Sequence, residues 1–345
     1  MYREEFPPLR WLTCWLPRLL VAGSFTLAAC NGGDTTAPSA GGPGISPSKG
    51  PSGQACIGCP VVSSHILFAK WATTGNGHND IYSMNPDGTG RKVIAATTGD
   101  EIEPAWSPNY TRLAFSRTHQ ALGSLNGLWT IGWDGSQEVR VTNDWRDHGP
   151  KWGKTNRIAF YSMRATMGTA TSEIFTINPD GTGLVRLTNN AADDRSPDWS
   201  PDGSKIVFAS NRGGRRGVGT LMHLFVMNAD GTGVKQLTFG SRAEDQPAWS
   251  PDGTRIVYHD TGGLSMINAD GTGQQDLMSG VDAGPGGVTV WFLGQPTWSP
   301  ESKSIAFTAN WNGVYRIYSW SVDDGGTISQ LSPQGQEEQF PAWSH

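Results

Sequence analysis

Six times the chain writes a proline, one further residue and a tryptophan, in most cases followed by Ser-Pro. The tryptophans are Trp106, Trp152, Trp199, Trp249, Trp298 and Trp343, preceded by Pro104, Pro150, Pro197, Pro247, Pro296 and Pro341. Successive tryptophans stand 46, 47, 50, 49 and 45 residues apart. A period of that length means one supersecondary unit repeated in series, which decides the architecture before any local reading. A tryptophan with a fixed place in every unit is expected to pack between units.

Each unit carries three further landmarks. A turn follows the tryptophan, clearest as Pro201-Asp202-Gly203-Ser204 and Pro251-Asp252-Gly253-Thr254, where proline presets φ and glycine accepts φ > 0. A β-type run comes next, such as Ile206-Val207-Phe208-Ala209 or Ile305-Ala306-Phe307-Thr308. A third run, such as Leu224-Phe225-Val226-Met227, closes on Asn-Ala/Pro-Asp-Gly-Thr-Gly at 85–90, 178–183, 228–233 and 268–273. Asp-Gly between apolar runs is a hairpin signal. A last run ends near Leu-Thr, so each unit has four short strands and no amphipathic helix.

Six such units predict an all-β fold, a six-bladed β-propeller of four-stranded antiparallel blades. The C-terminal unit stops at Trp343-Ser344-His345 with only its first strand, and the N-terminal unit begins at His65 with its second. Pairing of the C-terminal strand with the N-terminal blade therefore closes the ring and removes its open edges. A linear solenoid is the alternative, and it leaves half a repeat unpaired at each end.

Pro-Ala-Trp-Ser-Pro-Asp-Gly followed by Asn-Ala/Pro-Asp-Gly-Thr-Gly resembles the WD40-like PD40 repeat. That repeat occurs in the propeller of the periplasmic protein TolB and in the propellers of prolyl-oligopeptidase-type enzymes. The resemblance covers 65–345. It is weakest where Trp152-Gly153-Lys154 replaces Trp-Ser-Pro and Asp134-Gly135-Ser136 replaces Asp-Gly-Thr. The chain holds no G-x-S-x-G elbow and no length for a hydrolase domain beside the propeller, which sets the peptidase branch aside. TolB carries an α/β domain ahead of its propeller, and a tether stands in that region here. "TolB-like" thus describes a fold and leaves a place in Tol–Pal machinery open.

The organisation ahead of the repeats reads as an export signal at 1–29, a tether at 30–60 and the propeller at 61–345. Arg10 and Arg18 precede an apolar run over 19–29, too short to span a bilayer. Leu27-Ala28-Ala29-Cys30 resembles a bacterial lipobox, which implies lipidation of Cys30. Asn31 after it points to the outer membrane rather than the inner by analogy with enteric bacteria. The Gly, Pro, Ser and Thr of 31–55 suit a flexible tether. Cys56-Ile57-Gly58-Cys59 is open to redox, zinc or disulfide readings. No helix start supports the first and only His65 is near for the second, so a local disulfide between Cys56 and Cys59 is the reading carried forward. Net charge is −5, which argues against nucleic acid as a partner.

The short Asp-Gly turns share one face of such a propeller. The long, dissimilar loops 70–80, 117–127, 163–173, 211–221 and 279–293 share the other, where binding residues gather on a rigid scaffold. Trp71, Trp145, Trp291 and Trp311 fall there and would suit sugar stacking. Five residues before each repeat tryptophan stand Glu101, Asp147, Asp194, Glu244, Leu293 and Glu338. These positions are expected to ring the channel mouth, and like charges so gathered would attract a cation, calcium or another divalent ion, or a basic segment. The plainer alternative is local hydrogen bonding to backbone. Asp147-His148 is the pair to watch for chemistry.

Two functions follow. One is a non-enzymatic, membrane-tethered, monomeric scaffold of the bacterial cell envelope that binds an envelope protein through its variable face. The other is an envelope enzyme or glycan-binding propeller, of lyase or lactonase type, with a metal in the channel.

Overall fold

The computed structural model describes residues 64–71, 77–119, 123–164, 171–213, 221–261, 263–279, 290–311, 313–324 and 326–344. Cys30, Cys56 and Cys59 lie outside them. No helix of the described residues is long and apolar enough to cross a membrane.

Blade 1 takes β1 (Ile66–Trp71), β2 (Asn79–Met84) and β3 (Lys92–Ala95). Blade 2 takes β4 (Asp100–Trp106), β5 (Arg112–Thr118), β6 (Gly127–Gly132) and β7 (Val139–Arg140). Blade 3 takes β8 (Asp147–Trp152), β9 (Ile158–Ser162), β10 (Glu173–Ile177) and β11 (Val185–Arg186). Blade 4 takes β12 (Asp194–Trp199), β13 (Lys205–Ser210), β14 (His223–Asn228) and β15 (Lys235–Gln236). Blade 5 takes β16 (Glu244–Trp249), β17 (Arg255–Asp260), β18 (Gly263–Asn268) and β19 (Gln275–Ser279). Blade 6 takes β20 (Val290–Trp298), β21 (Ser304–Trp311), β22 (Val314–Ser321) and β23 (Ile328–Gln330), after which β24 (Glu338–Trp343) completes blade 1. All six sheets are four-stranded and antiparallel, and β24 pairs with β1, Ile66 opposite Trp343 and Lys70 opposite Glu338.

The core lies between blades. In β13, Ile206 and Phe208 pack against Ala159 and Ile174 of blade 3, while Val207 and Ala209 pack with Tyr258 and Ile267 of blade 5. A strand covered on both faces reads as an unbroken apolar run, which is why the second run of each unit lacks alternation. Burying a side chain such as Phe208 contributes roughly 1.5–3 kcal/mol. The repeat tryptophans knit neighbours together. Indole N–H groups of Trp106, Trp199 and Trp298 donate to the carbonyls of Ala342, Lys151 and Ala248 in the preceding blade, at 3.2, 3.1 and 3.0 Å.

The Pro-x-Trp phrase has a backbone cause. The residue before each proline is left-handed: Glu103, Gly149, Ser196, Gln246, Gln295 and Phe340 have φ between 53° and 60°. The innermost ladder skips here, as between Ile102 and Ala105 or Asp245 and Ala248. Each innermost strand therefore carries a β-bulge, and proline sits in it because no ladder bond needs its missing N–H.

Candidate functional site

The six bulges line the central channel. The residues before the prolines and the prolines themselves, with Lys151 and Tyr161, surround a cavity that opens to solvent. Side chains of this ring clasp the next blade. The Glu103 carboxylate accepts the Gly149 N–H at 2.7 Å and the Ser116 hydroxyl at 2.8 Å. The Gln246 amide oxygen accepts from the Gln295 N–H at 2.8 Å, and Gln295 accepts from Phe340 at 2.9 Å.

Charge is confined to one side of the mouth. His148 Nδ1 stands 3.7 Å from Glu103 Oε2. Burial alone would lower the His148 pKa, but the Glu103 carboxylate, with Asp147 adding, holds it above its ordinary value. Burial would likewise raise Glu103, yet the His148 ring, the Gly149 N–H and the Ser116 hydroxyl keep it below the usual glutamate range. Beside them Arg195 pairs with Asp245 at 2.9 Å, and the Ser196 hydroxyl donates to Asp245 at 2.8 Å. Burial, with Glu103 and Asp245 adding, pushes the Tyr161 phenol well up. Gly149 is required by this ring, since a Cβ there would lie 2.7 Å from Tyr161 Cε1. Blades 6 and 1 contribute Gln295 and Phe340, both uncharged.

The expected acid ring is corrected by this geometry. Glu101, Asp147, Asp194, Glu244 and Glu338 are at most 2% exposed and are not among the cavity's lining. The bulge breaks the strand's alternation, so the channel receives the residue three before tryptophan. The residue five before is left inside the blade, where a basic side chain meets it. Arg117 Nε reaches Glu101 at 2.8 Å, Arg212 reaches Asp194 at 2.5 Å, and His223 Nδ1 stands 3.2 Å from Glu244. Arg164 holds Asp147, and Arg91 holds Glu338. The arginines lie over the aromatic of the second strand, Arg212 at 4.9 Å from the Phe208 centroid and Arg164 at 5.5 Å from Phe160. Burial raises the pKa values of Glu101 and Glu244 against these partners. The charges that would have drawn a cation are answered within the protein.

Residues 165–286 match the family described as the TolB beta propeller domain, PD40. The repeats within 165–286 are of the PD40 type. A TolB homologue of Chlorobium luteolum is 28% identical over 155 residues, 45% of this chain and 33% of the relative. Dipeptidyl-peptidase 5 of Porphyromonas gingivalis is 39% identical over 62 residues, 18% of this chain and 9% of that protein. The crystal structure of TolB from Acinetobacter baumannii superposes with a TM-score of 0.65 at 18% identity, covering 81% of this chain and 66% of that one. At that identity the superposition speaks for the fold. The chain spans about a third of the length of the TolB relative.

On the PD40 propeller the aromatic set does not assemble as expected. Trp145 is 58% exposed and Trp71 is 42% exposed, whereas Trp311 is 3% exposed, stacked edge-on against Tyr318 at 4.0 Å. The side chain of Trp291 lies outside the described residues. A tripeptide difference also finds its reason. Gly153 replaces the usual serine because a Cβ would come within 2.6 Å of the Trp199 indole. Sequence reasoning missed Glu103 and Tyr161, which share no residue type with their counterparts in other blades. Arg212 reads in the sequence as a residue of the loop face, and nothing there pairs it or Arg164 with an acid, although each stands four residues after the strand phenylalanine. Among the described residues no three His, Cys, Asp or Glu side chains converge to hold a metal ion.

Proposed function

We propose that this chain is a non-enzymatic TolB-like propeller of the bacterial cell envelope, anchored by a lipid at Cys30, which binds an envelope protein through the loop-bearing face around the channel mouth. The carrying observation is the mouth itself, a proline-lined cavity open to solvent, with charged groups from blades 2 to 5 at and beside it. Such a cavity, together with exposed Trp145 and Phe239 on the connections between blades, suits a protein segment with apolar anchors and a few oriented polar groups. The likeness to TolB supports the same reading. The metal-dependent lyase or lactonase alternative has no donor set to name among the described residues.

The test is site-specific photo-cross-linking in the native envelope. A probe at Trp145 should capture a discrete partner, and a probe at Asp230, on the opposite turn face, should not. Equal capture from both positions, or none from Trp145, would sink the reading. Mass spectrometry of the mature N-terminus tests the anchor separately, and an unmodified Cys30 would remove it.

A further inference from the structure

A row of residues crosses each blade at the level five before the tryptophan. In blade 2 the ladder aligns Glu101, Arg117 and Gly127, and in blade 4 it aligns Asp194, Ser210 and His223. Blade 6 aligns Leu293, Ala309 and Arg316. Its row holds a cation and no carboxylate, the reverse of what the repeat prescribes.

Arg316 is 7% exposed, and its buried Nε has no hydrogen-bond partner. No ion pair joins it to a carboxylate among the described residues, and its polar neighbour is the Tyr318 hydroxyl. Trp311, one pleat further along the same face, is 3% exposed, and its buried indole N–H also has no partner. The position that four residues after phenylalanine is arginine in blades 3 and 4 is Trp311 here. A desolvated guanidinium without a counter-charge is costly, as is an orphaned donor beside it.

We propose that the Arg316 end of blade 6 binds a small carboxylate anion, which takes the place of the acid that the repeat lacks at position 293. The guanidinium fork matches a carboxylate with two parallel N–H···O bonds, and the Trp311 N–H is a further donor to the same anion. The site stands where β21 turns into β22, on the face that carries the long loops and apart from the channel mouth.

Thermal unfolding of the full chain at neutral pH, in acetate against chloride of equal ionic strength, tests this. Acetate should raise the wild-type Tm saturably, by about 2–4 °C at tenfold its half-saturating concentration. Arg316→Met removes the charge that needs a partner, so it should fold at least as stably in chloride and lose the acetate response. Leu293→Glu restores the repeat's own acid two strands away, about 10 Å across the sheet, and should raise stability in chloride while abolishing the response. An equal Tm in the two salts, or a response that survives Arg316→Met, would overturn the proposal.

Discussion

At the scale of single residues, the channel mouth depends on Glu103 and His148 fixing each other's charge. The raised His148 pKa stabilises the fold fully below the ordinary value of 6.5, and that contribution is lost as pH rises through the folded value. The lowered Glu103 pKa stabilises above the ordinary value of 4.5 and is lost as pH falls through its folded value. The pair is thus strongest in mildly acidic solution. Glu103→Gln removes the main influence that opposes burial, so the His148 titration followed by NMR should move to lower pH. An unmoved midpoint would show that His148 takes its charge from elsewhere. A second residue-scale prediction concerns packing. Gly153→Ala places a methyl group against the Trp199 indole, where 2.6 Å is available, and overpacking of this kind costs about 1–3 kcal/mol. Urea unfolding should register that loss with an unchanged m-value, and neutrality would mean the two blades can slide apart at no cost.

At the scale of the element, each blade is a sheet whose faces are apolar, and in blades 1 to 5 a buried acid at the loop end is met by a basic side chain. Removing one partner leaves the other buried and unpaired, and Arg212→Met should cost about 3 kcal/mol through the stranded Asp194. Blade 6 has apolar residues, Leu293 and Trp311, in the two places, although it keeps Arg316 in the same row. Asp194→Leu combined with Arg212→Trp should therefore recover most of that loss in denaturant unfolding. A double variant as weak as the single one would mean the pair does more than neutralise itself. The strands and turns were legible in the sequence because Asp-Gly and the apolar runs recur with one meaning in every unit. The bulge was not. Its left-handed position is filled by Glu, Gly, Ser, Gln, Gln and Phe, and only the following proline betrays it. The acids stand at the entry to the innermost strand, which points them to the channel mouth in the sequence, and only the bulge shows that their side chains turn into the blade. The basic partners were half legible. In blades 3 and 4 they stand four residues after phenylalanine, but Arg117 comes two after and Arg91 from the far side of the third strand.

At the scale of the molecule, six blade interfaces must close on one another, and a single strand makes the closure covalently continuous. β24 lies on β1 with Leu67 opposite Ala342 and Ala69 opposite Gln339. Beyond it the Ser344 N–H donates to the His65 carbonyl at 2.9 Å, and the Ser344 hydroxyl accepts from the His65 N–H at 2.8 Å. Trp343 packs in the cluster that joins blades 6 and 1, with Ile66, Phe68, Ala306 and Ile317. Glu338 receives Arg91 in the same strand's first position. Ending the chain at residue 336 removes all of these at once. It uncovers the β1 edge, leaves Arg91 without its acid and opens the channel wall at Phe340. Such a chain should lose its single cooperative transition in urea and associate through the bared edge. A synthetic peptide of residues 337–345 supplied in trans should pair with that edge by strand addition. Binding should restore the cooperative transition and the elution volume of the full chain. The same peptide carrying Trp343→Ala keeps every backbone bond but loses the indole that fills the blade 6 to blade 1 interface, so it should bind more weakly by a factor of ten or more, on the order of the 1.4 kcal/mol that a tenfold change represents. If the truncated chain unfolds cooperatively without any peptide, the five complete blades hold the ring by interface packing and the seam strand is dispensable.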